Sequence, residues 1–199
     1  MKIAILSMCL LFLITSCDII FAQNEKASPD ALTVIYNRKS VRHFTGKSVS
    51  QNDLVAIVKA GMSAPTAVNM QPWAFVIVTD RKALDSLIKE LPYAKMLDKA
   101  GGAIIVCAIP EKAFQANAEF AIIDSSCASE NILLAAEALG LGAVWTAVYP
   151  DKDRIIAVRK ILNIPENIIP VNVIPVGYST GEDTPKDKFK KENIHWNKW

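Results

Sequence analysis

Four clusters of residues could carry chemistry. Arg38-Lys39-Ser40-Val41-Arg42 sets two guanidiniums, an ammonium and a hydroxyl within one short run. A phosphate dianion is held by several charge-assisted donors, and arginine offers them as a planar fork. Taken alone, such a run is more often solvated basic surface. Ala64-Pro65-Thr66-Ala67-Val68-Asn69-Met70-Gln71-Pro72-Trp73 is a loop bounded by prolines, with carboxamides at Asn69 and Gln71. Two amides that close together suit the edge of a heteroaromatic ring bearing carbonyls and ring nitrogens. In isolation, turn-stabilising amides are the better reading. A third cluster, Ala138-Leu139-Gly140-Leu141-Gly142-Ala143-Val144-Trp145, has glycines that either end a helix or let backbone approach a flat ligand. The last is Pro175-Val176-Gly177-Tyr178, then Pro185-Lys186-Asp187-Lys188, with His195-Trp196-Asn197-Lys198-Trp199 behind it. A late lysine there could return to a phosphate, although a solvated tail is the default.

Other chemistries find little support. The 199-residue chain is 51% hydrophobic and 21% charged, with a formal net charge of +2. That composition describes a globular chain and not a disordered one. The balance of charge, with no basic stripe interleaved with aromatics, argues against a nucleic-acid partner. Cys9, Cys17, Cys107 and Cys127 form no CxxC or Cys/His spacing, so no zinc site is expected. Cys107 and Cys127 read as small buried side chains, with a disulfide between them left open. His43 and His195 lie in no acid–base motif, and His195 reads as a packing residue beside Trp196. Neither GxGxxG nor GxxxxGK[ST] occurs, which removes the Rossmann and P-loop readings.

These clusters must be positioned by elements that alternate along the chain. Ser28-Pro29 reads as a helix start, with Leu32, Ile35 and Tyr36 on one face. Ser50-Gln51-Asn52-Asp53 resembles a capping box ahead of a helix with Leu54, Ile57, Val58 and Met62 at core spacing. Strands are expected over 73–79, 103–109, 143–148 and 168–178. Pro170 and Pro175 suggest an edge position for the last of these. Helices are expected over 81–91, 94–99, 113–139 and 151–162, and the tail 179–199 reads as polar and extended. In the long helix, Ala118, Ala121, Ser125, Ala128, Ser129, Ile132, Ala136 and Leu139 recur at helical spacing. Such a mostly small stripe fits either a second copy of the helix in a dimer or an ordinary buried core helix. The inferred architecture has helices on both faces of a small mixed sheet.

The first residues look like an address. Lys2 and the apolar run Ile3 to Ile14 have the shape of a signal-peptide core, too short to span a bilayer. Ile14-Thr15-Ser16-Cys17 resembles a lipobox, in which Cys17 would be lipidated and anchor the chain to a membrane. Cleavage after Ala22 is the alternative. Residues 1–22 are thus expected to be a signal, 23–29 a linker and 30–199 the working domain. The chain is expected to be exported, either to the periplasm or as a membrane-anchored lipoprotein.

Taken in order and spacing, the four clusters resemble the nitroreductase family. Its members show an Arg-Arg-Ser-x-Arg-type opening, then a Pro-Ser/Thr-x-x-Asn-x-Gln-Pro-Trp loop. A long helix ending in Gly-Leu-Gly and a late Pro-x-Gly-Tyr with a following basic residue complete the pattern. The resemblance covers about Asp30 to Trp199. It implies an α+β fold: a three-layer sandwich whose mixed, mostly antiparallel sheet is flanked by helices, assembled as a dimer with two flavins at its interface. It implies that Arg38, Lys39, Ser40 and Arg42 hold the phosphate and ribityl chain of FMN, with Lys39 where a second arginine is common. Pro65, Thr66 and Asn69 match a loop that reaches FMN across the dimer interface, and Gln71 adjoins them. Gly142 and Thr146 match backbone near the reactive edge of the flavin, and Lys188 the late basic residue of the phosphate site. The implied activity is FMN-dependent reduction of small electron-poor acceptors such as nitroaromatics, quinones or enones by a homodimer, with NAD(P)H a candidate donor. The chemistry is the cofactor's, so no catalytic side chain is named. Alternatives are a non-catalytic flavin-binding exported lipoprotein, or a related flavin reaction such as dehalogenation or flavin fragmentation.

Overall fold

The computed structural model describes residues 29–199. The expected signal, most of the linker and the Ser28 cap lie outside the described residues. The helices are α1 (Ala31–Asn37), α2 (Gln51–Gly61), α3 (Arg81–Glu90), α4 (Ala118–Ala138) and α5 (Lys152–Leu162). The strands are β1 (Trp73–Val78), β2 (Gly102–Ala108), β3 (Gly142–Ala143), β4 (Thr146–Ala147) and β5 (Ile169–Gly177).

Sheet order is β1-β2-β5-β3, with β4 also on β5, and every ladder is antiparallel. The parallel element is an isolated bridge between Ser40 and Ala143. All of β2 is buried, as expected of a strand covered on both faces. Its side chains alternate between two cores. Ala103, Ile105 and Cys107 join Leu84, Leu87 and Val158, from α3 and α5, on one face. Ile104 and Val106 join Leu54, Ile57, Ile132 and Ala136, from α2 and α4, on the other. The result is a three-layer α+β sandwich.

The helix boundaries follow local chemistry. Ser50 Oγ accepts from the N–H of Asp53 at 3.0 Å and caps α2. The Asp53 carboxylate accepts from the Ser50 hydroxyl at 2.7 Å instead of reaching the Ser50 backbone, so the capping box is only half reciprocal. Asp80 caps α3 and Asp151 caps α5 in the same way. Beyond α4, Gly140 N donates to Glu137 O and Leu141 N to Ala136 O, the double hydrogen bond of a Schellman motif. Gly140 has φ +73°, the left-handed turn this stop requires.

Several expectations are corrected. The single strand expected over 143–148 is interrupted at Val144 and Trp145. The strand with two prolines is not at an edge: β5 lies between β2 and β3/β4. Continuing the register Ala143↔Val176 and Thr146↔Val173 sets Val144 opposite Pro175, inside the gap between β3 and β4. Pro170 falls at the register shift against Val106/Cys107 of β2. Each proline, lacking a donor, thus occupies a place where a neighbouring ladder is broken. The long helix begins at Ala118, later than expected, because Gln115 and Ala116 take positive φ in a 3-10 turn and Asn117 supplies the cap. Residues 95–98 form a 3-10 turn where a helix was expected. The first helix starts at Ala31, with Pro29 before it.

The small-residue stripe on α4 is core of its own chain. Ala121, Ser125, Ala128, Ser129, Ile132 and Ala136 are all buried, with α2 packed alongside, whereas Leu139 is exposed. On α1 the apolar face points away from the core: Val34 is buried, while Leu32, Ile35 and Tyr36 are exposed.

Candidate functional site

After α1 the chain runs as an extended strip sewn to the sheet. Val41 N donates to Ala143 O at 3.0 Å, and Thr45 N to Tyr178 O at 2.9 Å. Val41 and Phe44 point into the core. Arg42 is left exposed and Ser40 half-buried. The 177–180 corner closes the other side, with Thr180 N donating to His43 O.

These strips frame a cleft of about 460 Å³, lined by Arg38, Lys39, Ser40, Arg42, Glu182, Asp183, Thr184, Lys186 and Lys188. All of the expected phosphate-type residues therefore meet at one place, with Lys188 returning from far along the chain. Their charges are not equally available. The Lys39 ammonium donates to both oxygens of Glu137, at 3.1 and 3.2 Å. Arg38 lies 3.4 Å from a Glu130 oxygen. Among the described residues the Arg42 guanidinium has only a long contact, 3.4 Å, to the Ser40 carbonyl. Lys186 and Lys188 have no acidic partner among the described residues. Arg42, Lys186 and Lys188 are thus the least committed cations of the cleft.

The second group stands apart, and none of its members lines this cleft. Pro65, Asn69 and Gln71 are exposed and Thr66 half-buried, in a loop strained at Val68, Asn69 and Gln71, which have φ of 43°, 60° and 53°. Positive φ costs a β-branched residue such as valine most, and side chains that hold such a loop mark it as built. Thr66 Oγ1 accepts from Gln71 N at 3.1 Å, and Gln71 Nε2 donates to Asn69 Oδ1 at 3.1 Å. The carboxylate of Asp124, buried in α4, accepts from Ala67 N at 3.2 Å. The two amides are therefore spent partly on each other.

Gly142 and Thr146 lie in β3 and β4, both buried. A Cβ on Gly142 would stand 2.6 Å from Val41 Cγ1, so the space around this glycine is taken by the strip that carries Arg42. Its role here is the close approach of two backbones.

Sequence reasoning missed Asp183 and Asp124. The first sits in a polar tail and the second in an apolar helix, and neither has a periodic signature. It also paired His195 with Trp196, whereas the ring stacks on Trp199 with centroids 4.1 Å apart. Cys107 and Cys127 are free, the first buried and the second half-buried. Burial pushes the Cys107 thiol up to about 12, with the positive charge of Arg159 acting weakly against it. Among the described residues no group of three or more His, Cys, Asp or Glu is placed to hold a metal.

The sandwich is that of a known family. The model of the Nitroreductase family matches residues 35–97 and 85–178. The chain belongs to that family and is an oxidoreductase. It is 41% identical over 173 residues to a protein of Archaeoglobus fulgidus provisionally named NADH dehydrogenase/NAD(P)H nitroreductase, covering 85% of this chain and 99% of that one. A crystal structure from Parabacteroides distasonis, with the same provisional name, is 49% identical at a TM-score of 0.80, covering 85% of this chain and 98% of that one. A provisionally named nitroreductase of Desulfovibrio desulfuricans, solved in complex with FMN, is 26% identical at a TM-score of 0.73, covering 86% and 98%.

Proposed function

We propose that the chain is an FMN-dependent oxidoreductase that passes electrons from a reduced nicotinamide to small, flat, electron-poor acceptors such as nitroaromatics, quinones or enones. The observation that carries this reading is the convergence of Arg38, Ser40, Arg42, Lys186 and Lys188 on one cleft. That donor set fits a phosphate monoester: two forked guanidiniums, two free ammoniums and a hydroxyl. Both the relative solved with FMN and the relatives named as NAD(P)H nitroreductases point the same way.

When bound, FMN supplies the electron transfer itself. The chain's residues bind and orient. Arg38 and Lys39 are held beside the cleft by Glu130 and Glu137, while the side chains of Arg42, Lys186 and Lys188 have no acidic partner among the described residues. In this reading the strained loop with Pro65, Thr66, Asn69 and Gln71 completes the site of a second copy, because it is exposed and lies off the cleft of its own chain. The chain therefore works as a homodimer.

The test is a visible absorption spectrum of the purified protein, release and identification of any chromophore, then turnover of NADH or NADPH with a quinone or nitroaromatic. Flavin bands with FMN released at about one per chain, and steady turnover, are expected. A colourless protein that takes up no added FMN refutes the reading. Bound FMN without turnover by any donor would leave a flavin-binding protein only.

Export is part of the same proposal. Residues 1–22 act as a signal, through lipidation of Cys17 or cleavage after Ala22. The mass of the mature chain recovered from cell fractions decides it, and an intact N-terminus in the cytoplasm overturns it.

A further inference from the structure

The cleft holds a group that its expected ligand does not call for. Asp183 points a carboxylate into the cationic site, where like charge would repel a phosphate. That carboxylate is already committed. Oδ2 accepts from the backbone N–H of Arg42 at 2.9 Å and of His43 at 3.1 Å. Oδ1 lies 3.2 Å from His43 Nδ1. Only 13% of the side chain is exposed. The neighbouring Glu182 lies 3.8 Å from the other nitrogen of the same ring and accepts from the Thr180 hydroxyl at 2.9 Å. Partial burial alone would raise the Asp183 pKa. The two backbone donors, the His43 ring and its charge outweigh that and hold it below the ordinary aspartate value.

The two sides of the cleft are far apart in sequence. The strip 38–42 brings Arg38, Ser40 and Arg42, and the strap 182–188 brings Lys186 and Lys188. The Phe44–Ser179 bridge and the Thr180 N to His43 O bond join them at one end. At the cleft, Asp183 links the strap to the backbone of Arg42 and His43, and the His43 ring adds contacts to Asp183 and Glu182.

We propose that Asp183 is a positioning residue for the cofactor phosphate: it pins the Arg42–His43 backbone to the lysine-bearing strap, so that both cationic segments address one anion. This rests on the FMN reading above. The carboxylate acts as a hydrogen-bond acceptor, and its charge is spent on the two amides. An acceptor of the same shape without charge should therefore serve nearly as well, whereas a methyl group should not.

The test compares FMN with riboflavin, which lacks the phosphate, by titrating the full chain freed of flavin and following fluorescence quenching. Wild type is expected to prefer FMN strongly; no preference would refute the phosphate-site reading itself, whatever the variants do. Asp183→Ala is expected to cut the preference about tenfold or more, the equivalent of about 1.4 kcal/mol, with riboflavin affinity unchanged. Asp183→Asn, whose amide oxygen can still accept both N–H groups, is expected to stay within about threefold of wild type. An unchanged or increased preference in D183A overturns the proposal, as does equal loss of FMN and riboflavin, which would mark general damage to the fold. If D183A yields no folded chain, D183N decides: a preference near wild type supports the acceptor role. A gain would show that the carboxylate merely repels, and a loss of tenfold would show that its charge was needed.

Discussion

Gly140 and Gly142 stand two residues apart and are needed for opposite reasons. Gly140 has φ +73° and nothing within 4 Å of where a Cβ would be. Its replacement by alanine meets only backbone strain, and the expected loss is about 1 kcal/mol in chemical denaturation. At Gly142 space is the obstacle, with Val41 Cγ1 at 2.6 Å and its Cβ at 2.7 Å from a new methyl. Because the Val41 Cβ itself is in the way, rotating the valine gives no relief, and the strip carrying Arg42 must move. Gly142→Ala should cost about 1–3 kcal/mol and weaken flavin binding as well. Val41→Ala in the same chain should recover part of the loss; strict additivity of the two substitutions would show that they do not meet. Cys107 gives a pH prediction. Its folded pKa of about 12 exceeds the unfolded value of 9.0, so its contribution to stability is complete below pH 9 and is lost as pH rises toward 12. The stability difference between wild type and Cys107→Ala should shrink across that window. A constant difference would show that the buried thiol is not the titrating group.

The elements owe their limits to a few polar side chains. Asp151 Oδ1 accepts from Asp153 N and Arg154 N, both at 3.1 Å, at the start of α5. Asp151→Ala should cost about 1 kcal/mol, read as a lower denaturation midpoint at unchanged slope. A cap of this kind is legible in sequence because the aspartate stands one turn ahead of the first apolar residue of the helix, Ile155. So are β1 and β2, whose uncharged runs have few other readings, and the stop after α4. What was not legible depends on neighbours distant in sequence. The prolines of β5 argue for an edge only while the gap between β3 and β4 is unknown, since that gap is a property of the partner strand. The late start of α4 follows from positive φ at Gln115 and Ala116, residues with no local preference for it. In the cleft, Arg38 to Arg42 are readable as a cluster, but their meeting with Lys188 came through family resemblance. Asp183 and Asp124 act on backbone amides, and a sequence carries no mark of an acceptor whose donors lie in another segment.

At the scale of the molecule, the surface of one chain is unusually apolar in particular places. Tyr36 is 72% exposed on α1, Val68 69% in the strained loop, Phe189 72% and Trp196 84% in the tail. Isolated exposed hydrophobes need no explanation, but a whole helix face turned outward does. The proposed homodimer would cover that face and bring the loop with Thr66, Asn69 and Gln71 to the partner's site. Assembly and flavin binding are then linked: a ligand that binds only the dimer stabilises it, and dilution to monomers releases the ligand. Sedimentation and flavin fluorescence on one dilution series should therefore change together, with the same midpoint. Charge placed on the outward face of α1, as in Ile35→Asp with Tyr36→Asp, should move both transitions to higher protein concentration. It should leave the far-ultraviolet spectrum intact, because neither side chain belongs to the chain's own core. Monomers that hold FMN as tightly as the assembled protein would show that the strip and strap suffice, and that the strained loop serves some other end.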